Sequence, residues 1–318
     1  MAIAVLVGKE AEETKRFDWF ILQWKQVLLK LDPALDIRVW PDVGNVNEID
    51  AAFVWRHPPG VLKQFPNLKL IASVAAGVDH VLADHDLPKN VPIVRVMDSY
   101  MANDIVQYVL ATVLHYVKRL GDWELNQQQS LWSRSPPFNF SHKTIGIMGL
   151  GFLGKKAAYM LSQLGLKVIG WSQSPKQFDD IKTFAGQAQF HDFLSQADVL
   201  VCMLPLTPQT ENILNQSTFS RLPKGAYLVN LGRGEHLVDQ DCLAALASGQ
   251  LSGACLDVFR QEPLPSEHSF WKAPNVRITP HIASVTNPET AAPQLLDNYQ
   301  RAMAGQELLN RVNVEKGY

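Results

Sequence analysis

The sequence has no apolar run long enough to cross a bilayer, no low-complexity tract and no short-period repeat. Its cysteines number only three, Cys202, Cys242 and Cys255. That is an odd count, at spacings that match no zinc pattern, so buried free thiols are expected rather than bridges or metal ligands. An excess of one charge is also missing. A balance of 29 Lys+Arg against 31 Asp+Glu leaves a net charge of -2, which offers nothing to nucleic acid or an anionic membrane. The opening stretch, residues 1–8, lacks a basic start and a clear small-residue cleavage site. It reads as a first strand rather than a signal peptide. Together these absences predict a cytoplasmic protein.

What is present is ordinary globular material: 318 residues, 47% hydrophobic and 19% charged, enough for about two domains. Short apolar runs at Ile3–Val7, Ile37–Trp40, Ala51–Trp55, Leu68–Val74 and Ile93–Val96 read as strands. Between the first two, Phe17, Phe20, Ile21, Trp24, Val27, Leu28 and Leu31 recur at helical spacing and predict a helix over 12–31, stopped by Pro33. Strands alternating with helices predict a parallel sheet covered on both faces. From Asn103 the pattern becomes a long helix with Ile105, Val109, Val113, Tyr116 and Leu120 on one face. The segment 123–140 that follows is polar, aromatic and proline-containing. It reads as a surface loop or as an arm that packs on a second subunit, and Trp123, Trp132 and Phe138 favour the arm.

A second α/β unit begins at Thr144. Strands are expected at Thr144–Met148, Lys167–Gly170, Asp198–Met203, Ala226–Asn230, Gly253–Leu256 and Val276–Ile278. Helices are expected at Phe152–Leu164, His191–Ser195, Ser217–Leu222 and Asp239–Ser248, the last with Asp239 as N-cap and Gly249 as its stop. A final helix over Pro288–Ala304 can return to the first unit, which makes that domain discontinuous: 1–100 with 286–318, around 101–285.

Between the first strand and helix of this unit stand Gly149, Gly151 and Gly154, spaced G-x-G-x-x-G. In this context the spacing has a physical reading. Gly149 permits the turn, Gly151 lets the backbone close on a pyrophosphate, and Gly154 lets the helix pack on the strand. The anion would sit at the helix N-terminus. Ligands of such sheets bind beyond the carboxyl ends of the strands. Arg233 follows one predicted strand, Asp257 and Glu262 follow the next, and His281 follows the third. Arg233 can hold a carboxylate in a bidentate fork and polarise the neighbouring carbonyl. His281 can donate a proton as that carbonyl is reduced, and Glu262 favours the protonated ring, so reduction should fade as pH rises. Each residue alone reads as an ordinary loop group; their placement after successive strands gives them a joint chemistry.

Those residues carry a resemblance. The Gly149–Gly154 turn, Asn230-Leu-Gly-Arg-Gly234, Leu256-Asp-Val-Phe-Arg-Gln-Glu-Pro-Leu264 and Thr279-Pro-His-Ile-Ala283 are similar to the signatures of the D-2-hydroxyacid dehydrogenases, over nearly the whole chain. Further support comes from Val54-Trp-Arg-His-Pro-Pro59, Ala75-Ala-Gly-Val-Asp79, Leu204-Pro-Leu-Thr-Pro-Gln-Thr210, Lys224-Gly-Ala-Tyr-Leu-Val-Asn230 and Lys316-Gly-Tyr318. The resemblance implies two doubly wound α/β domains, a Rossmann dinucleotide-binding domain and a flavodoxin-like substrate domain. It implies Arg233, Glu262 and His281 as the catalytic set, and the Ala76 and Gly77 amides as donors to the substrate carboxylate. Phe152 and Leu153 would cover the pyrophosphate, and Leu204 and Pro205 would line the adenosine side. Leu231, Gly232, Asp257 and Ser284 would lie near the nicotinamide. It also implies a homodimer formed through the cofactor domains, with 103–140 contributing and Trp132 directed toward the partner's site.

The cofactor expectation turns on a missing acid. The second strand of a dinucleotide fold usually ends in a carboxylate that takes the ribose hydroxyls of NAD. Here Gly170-Trp-Ser-Gln-Ser-Pro-Lys176 has none before Asp179. Ser172, Gln173, Ser174 and Lys176 are the groups available to a 2′-phosphate, so NADP is preferred over NAD. Gln173 stands where the reductases of the family commonly carry arginine. The expected substrate is a small 2-oxo acid such as glyoxylate or hydroxypyruvate, with Trp55, Arg56 and His57 near the site and Arg56 either assisting the carboxylate or solvated. A larger 2-oxo acid such as phenylpyruvate, and a dinucleotide-sensing corepressor on the same fold, are the alternatives.

Overall fold

The computed structural model describes residues 2–134 and 142–318. By contact the chain divides into two units, Met1–Met101 with Thr286–Tyr318, and Ala102–Val285. Each unit carries one wholly parallel sheet.

The first unit runs β1 (Ala2–Val7), α1 (Ala11–Arg16), α2 (Asp18–Leu31), β2 (Ile37–Val39), β3 (Ile49–Trp55), β4 (Leu70–Ser73), α3 (Asp79–Leu82) and β5 (Ile93–Arg95). The strand order β2-β1-β3-β4-β5 is the flavodoxin-like one. Every residue of β1 is buried. A strand covered on both faces needs a continuous apolar run rather than alternation, and this one has it.

The helix expected over 12–31 is two helices. Phe17 leaves helical geometry (φ -104°, ψ 14°), and its carbonyl restarts the ladder by accepting the Phe20 and Ile21 amides. Leu31, expected on the buried face, is exposed in the last turn.

The second unit takes up the next helix, α4 (Ser99–Val117), and adds α5 (Leu120–Gln128), β6 (Thr144–Met148), α6 (Phe152–Gln163), β7 (Lys167–Ser172), β8 (Lys182–Ala185), α7 (Phe190–Leu194), β9 (Val199–Cys202), α8 (Gln216–Phe219), β10 (Ala226–Asn230), α9 (Asp239–Ala247), β11 (Leu251–Leu256) and β12 (Val276–Ile278). Its sheet runs β12-β11-β10-β9-β6-β7-β8. The order reverses direction between β6 and β9, the place where ligands of open α/β sheets bind. One face of this sheet buries Ile145, Ile147, Val199, Val201 and Val229, and the other Met148, Leu200, Cys202 and Leu228, as alternation along each strand requires.

The long helix ends earlier than its periodicity suggests. Arg119 is left-handed (φ 54°), so α4 cannot continue into α5, and Leu120 is exposed. Trp123, expected in a loop, lies in α5; Trp132 follows that helix and is 89% exposed. Phe138 lies outside the described residues. The edge strand β8 was not expected, and the N-cap of α9 is Val238 rather than Asp239, which opens the first turn instead.

The last helix, α10 (Pro288–Met303), belongs to the first unit. Beyond it the tail lies against the β5 edge, where the Val312 amide donates to the Ile93 carbonyl. Among the described residues no helix is long and apolar enough to cross a membrane, and no cluster of His, Cys, Asp and Glu is placed to hold a metal ion. The three cysteines are free and buried, and burial pushes the Cys202 and Cys242 thiols up to about 12.

Candidate active site

In the second unit the residues singled out by sequence leave the carboxyl edge of one sheet, in spatial order. His281 follows β12, Asp257 and Glu262 follow β11, Arg233 follows β10, and Leu204 and Pro205 follow β9. The glycine turn follows β6, and Ser172–Lys176 closes β7. From β11 to β7 is four strand steps, about 19 Å at ~4.8 Å each, which suits an elongated ligand.

The glycine turn separates fold from ligand. A Cβ on Gly149 would meet the Met203 carbonyl at 2.8 Å, and one on Gly154 would meet the Gly149 carbonyl at 1.8 Å, so both are fixed by the chain itself. A Cβ on Gly151 would meet nothing within 4 Å, and Gly151 has an ordinary extended backbone (φ -75°). Packing and conformation leave that position unconstrained. Gly151 is also the N-cap of α6; no side chain caps the helix and its first turn carries no acid. An uncapped helix start beside an open glycine fits the pyrophosphate of a dinucleotide. Phe152 is exposed and Leu153 half-buried at that start.

At the end of β7, Gln173, Ser174 and Lys176 are exposed, while Ser172 is buried and its hydroxyl donates to the Ser174 carbonyl at 2.8 Å. The loop holds no carboxylate before Asp179. Leu204 and Leu231 are buried, and Pro205 is half-buried.

Arg233 is held by its own turn. The Asn230 side chain accepts from the Gly232 amide and donates to the Arg233 carbonyl at 3.0 Å. The Arg233 amide donates to His236 Nδ1 at 3.0 Å, so the proton of that ring is on Nε2, which donates to the Pro205 carbonyl at 3.2 Å. Arg233 Nη1 donates to the Gly232 carbonyl at 2.8 Å. His236 was missed by sequence reasoning. Its only signal is a histidine three residues after the arginine, and each of its ring nitrogens bonds a backbone group.

His281 Nδ1 lies 2.9 Å from Glu262 Oε2, while Glu262 Oε1 accepts the Phe259 amide at 3.1 Å. The ring is therefore oriented by a carboxylate that is itself anchored. His281 is left-handed (φ 56°). The loop keeps that conformation because Asp257 grips it: its backbone carbonyl accepts the His281 amide, and its carboxylate accepts the Ile282 and Ala283 amides at 2.9 and 3.0 Å. Asp257 also accepts Thr279 Oγ1 at 2.6 Å. Since Thr279 has one proton and gives it there, the Tyr108 hydroxyl, 2.5 Å away, donates to Thr279. Asp257 is 1% exposed and engaged with the His281 loop. Ser284, just after, is half-buried.

In the first unit Trp55 ends β3 and Arg56 follows in left-handed geometry (φ 53°). His57, expected beside these at the site, points into the core instead. It is 3% exposed, with Nε2 3.2 Å from Asp84 Oδ2. Burial outweighs the pull of Asp84 and holds the ring below the ordinary histidine value. After β4, the carbonyls of Ala75, Ala76 and Gly77 all accept hydrogen bonds from the protein. Among the described residues the amides of Ala76 and Gly77 have no protein acceptor. Two successive unpaired N–H groups make a receptor for an anion.

Residues 110–283 match the family model for the D-isomer specific 2-hydroxyacid dehydrogenase, NAD binding domain. The chain is 44% identical over 301 residues to glyoxylate/hydroxypyruvate reductase A of Yersinia enterocolitica, covering 93% of this chain and 96% of that one. It superposes with TM-score 0.91 at 36% identity on a D-isomer specific 2-hydroxyacid dehydrogenase of Xanthobacter autotrophicus Py2 in complex with NADPH and MES, covering 100% and 99% of the two chains. It superposes with TM-score 0.90 at 32% identity on the NADPH-dependent glyoxylate/hydroxypyruvate reductase of Sinorhizobium meliloti in complex with NADP and sulfate, again covering 100% and 99%. With a family model across more than half its length and relatives matched nearly end to end, the chain belongs to the D-isomer specific 2-hydroxyacid dehydrogenases.

Proposed function

We propose that the protein reduces small 2-oxo acids, glyoxylate and hydroxypyruvate foremost, to 2-hydroxy acids at the expense of NADPH. The observation that carries the reading is the 2.9 Å His281–Glu262 couple beyond the same sheet edge as the open Gly151 turn. When bound, the reduced nicotinamide supplies a hydride to the substrate carbonyl carbon. His281 gives a proton to the carbonyl oxygen, and Glu262 holds the ring in place. Arg233 fixes the substrate carboxylate and draws charge from the carbonyl. In the first unit, the Ala76 and Gly77 amides and the Arg56 guanidinium receive the carboxylate, with Trp55 shaping the space beside it.

Support for NADPH comes from the relatives' bound cofactors and from the exposed, acid-free Gln173, Ser174 and Lys176. NAD is the weaker alternative. The same reading makes the protein a cytoplasmic homodimer built through α4 and α5. Leu125, Leu131 and Trp132, all more than half exposed on or just after α5, supply apolar surface for that contact.

Steady-state reduction of glyoxylate, hydroxypyruvate and phenylpyruvate with each cofactor tests the proposal. The expected result is the highest kcat/KM for a two- or three-carbon substrate with NADPH. Absence of turnover with all three substrates would overturn the enzyme reading, and a higher kcat/KM with NADH would overturn the cofactor. A mass near twice 35.5 kDa in solution is expected.

A further inference from the structure

We infer that His80 is a positioning residue that locks two loops of the first unit, the one carrying Arg56 and the turn carrying Ala76 and Gly77, into a single geometry. Arg56 donates its backbone N–H to His80 Nδ1 at 3.3 Å. A ring nitrogen that accepts from an amide carries no proton, so the proton is on Nε2. Nε2 lies 3.3 Å from Ser73 Oγ and donates to it. Ser73, at 0% exposure, also accepts the Ala75 amide at 3.2 Å. It returns its own proton to the carbonyls of Ala75 and Gly77, at 3.0 and 3.1 Å.

The direction of every proton in this chain is fixed by its neighbours. Two consequences follow. Arg56 is a non-glycine residue in left-handed geometry, a conformation that persists only where the surroundings over-determine it. Its bond to His80 is one such constraint. In the turn, Ser73 and Arg95 occupy the carbonyl side. Arg95 Nη1 approaches the Ala76 carbonyl at 3.5 Å. A trans peptide points its N–H opposite to its C=O, so occupying that carbonyl aims the Gly77 amide the other way. A neutral imidazole bridging an arginine's backbone N–H to another loop occurs a second time, in His236 under Arg233.

The inference rests on the proposal that Arg56 and the Ala76–Gly77 turn receive the substrate carboxylate. The test is steady-state kinetics of the full-length His80→Ala, His80→Asn and Arg56→Ala variants with glyoxylate and NADPH, beside thermal melts. His80→Ala is expected to raise the glyoxylate KM about tenfold, the size of one net hydrogen bond. Its kcat and its KM for NADPH stay near wild type. His80→Asn, whose amide oxygen replaces Nδ1 as the acceptor for Arg56, recovers part of the lost KM.

A purely structural role would lower melting temperature and active fraction without a selective change in the glyoxylate KM, and that result would overturn the inference. A raised KM in Arg56→Ala with an unchanged KM in His80→Ala overturns the role of His80 alone. An unchanged KM in both variants overturns the carboxylate reading beneath it.

Discussion

Two of the histidine–carboxylate couples among the described residues are close in length and opposite in character. His281 and Glu262 meet at 2.9 Å with side chains 44% and 22% exposed; His57 and Asp84 meet at 3.2 Å at 0% and 3%. In the buried couple, desolvation decides. It holds His57 below its ordinary value despite the adjacent acid. Burial also pushes against the charge on Asp84, but the Gly60 and Asp86 amides outweigh it, and the carboxyl lies below the usual aspartate value. The pair braces a loop. In the exposed couple water and ligand can reach the ring, and the acid is anchored from behind. Distance alone would have called both pairs catalytic; solvent access separates them.

Four changes would break or sharpen that contrast. The largest effect is expected from His281→Ala, with kcat for 2-oxo acid reduction falling about 10²–10⁴-fold and dinucleotide affinity by fluorescence titration near wild type. Unaltered turnover would remove the exposed couple from the chemistry. Glu262→Gln, which keeps the shape and loses the charge, should fall between His281→Ala and wild type in the same assay.

The buried couple should answer in stability. His57→Ala is expected to cost about 1–3 kcal/mol in urea melts at neutral pH, with kcat per folded molecule close to wild type. Its pH dependence has a definite sign. The folded state binds fewer protons at His57 than the unfolded chain does, so this stability is complete above about pH 6.5 and drains away as pH falls below it. Melts of wild type from pH 7.5 downward should therefore lose stability more steeply than melts of His57→Ala; parallel curves would contradict the assignment.

The smallest effect is expected from Tyr108→Phe, which removes the outermost hydroxyl of the chain through Thr279 to Asp257. A drop of about two- to tenfold in kcat, with cofactor binding intact, would show that the His281 loop draws its position from α4.

Much of this was legible in the sequence, and the illegible parts share a cause. Residue type and spacing exposed β1, the G-x-G-x-x-G turn and the strands that bring Glu262 and His281 together, because continuous apolar runs and fixed glycine spacings reflect burial and backbone approach directly. Periodicity reports which face a side chain takes, not backbone dihedrals. The breaks at Phe17 and at left-handed Arg119 therefore passed unseen through a continuing helical pattern. The edge strand β8 has lysine, threonine and alanine among its four residues and only Phe184 buried, too little for an apolar signal. His57 is expected near the site because it adjoins Trp55 and Arg56. A strand end carries no sign that the next residue turns in, and only Asp84, 27 positions away, reveals it.

The empty space beside Gly151 sets that codon apart from its neighbours. Folding holds no stake in it, whereas a methyl at Gly154 would collide with the Gly149 carbonyl. A descendant of this gene that kept its shape but abandoned its coenzyme would be free to acquire alanine or serine at 151 while 154 stayed glycine. The pair of positions thus serves as a record of whether a lineage has retired from redox work.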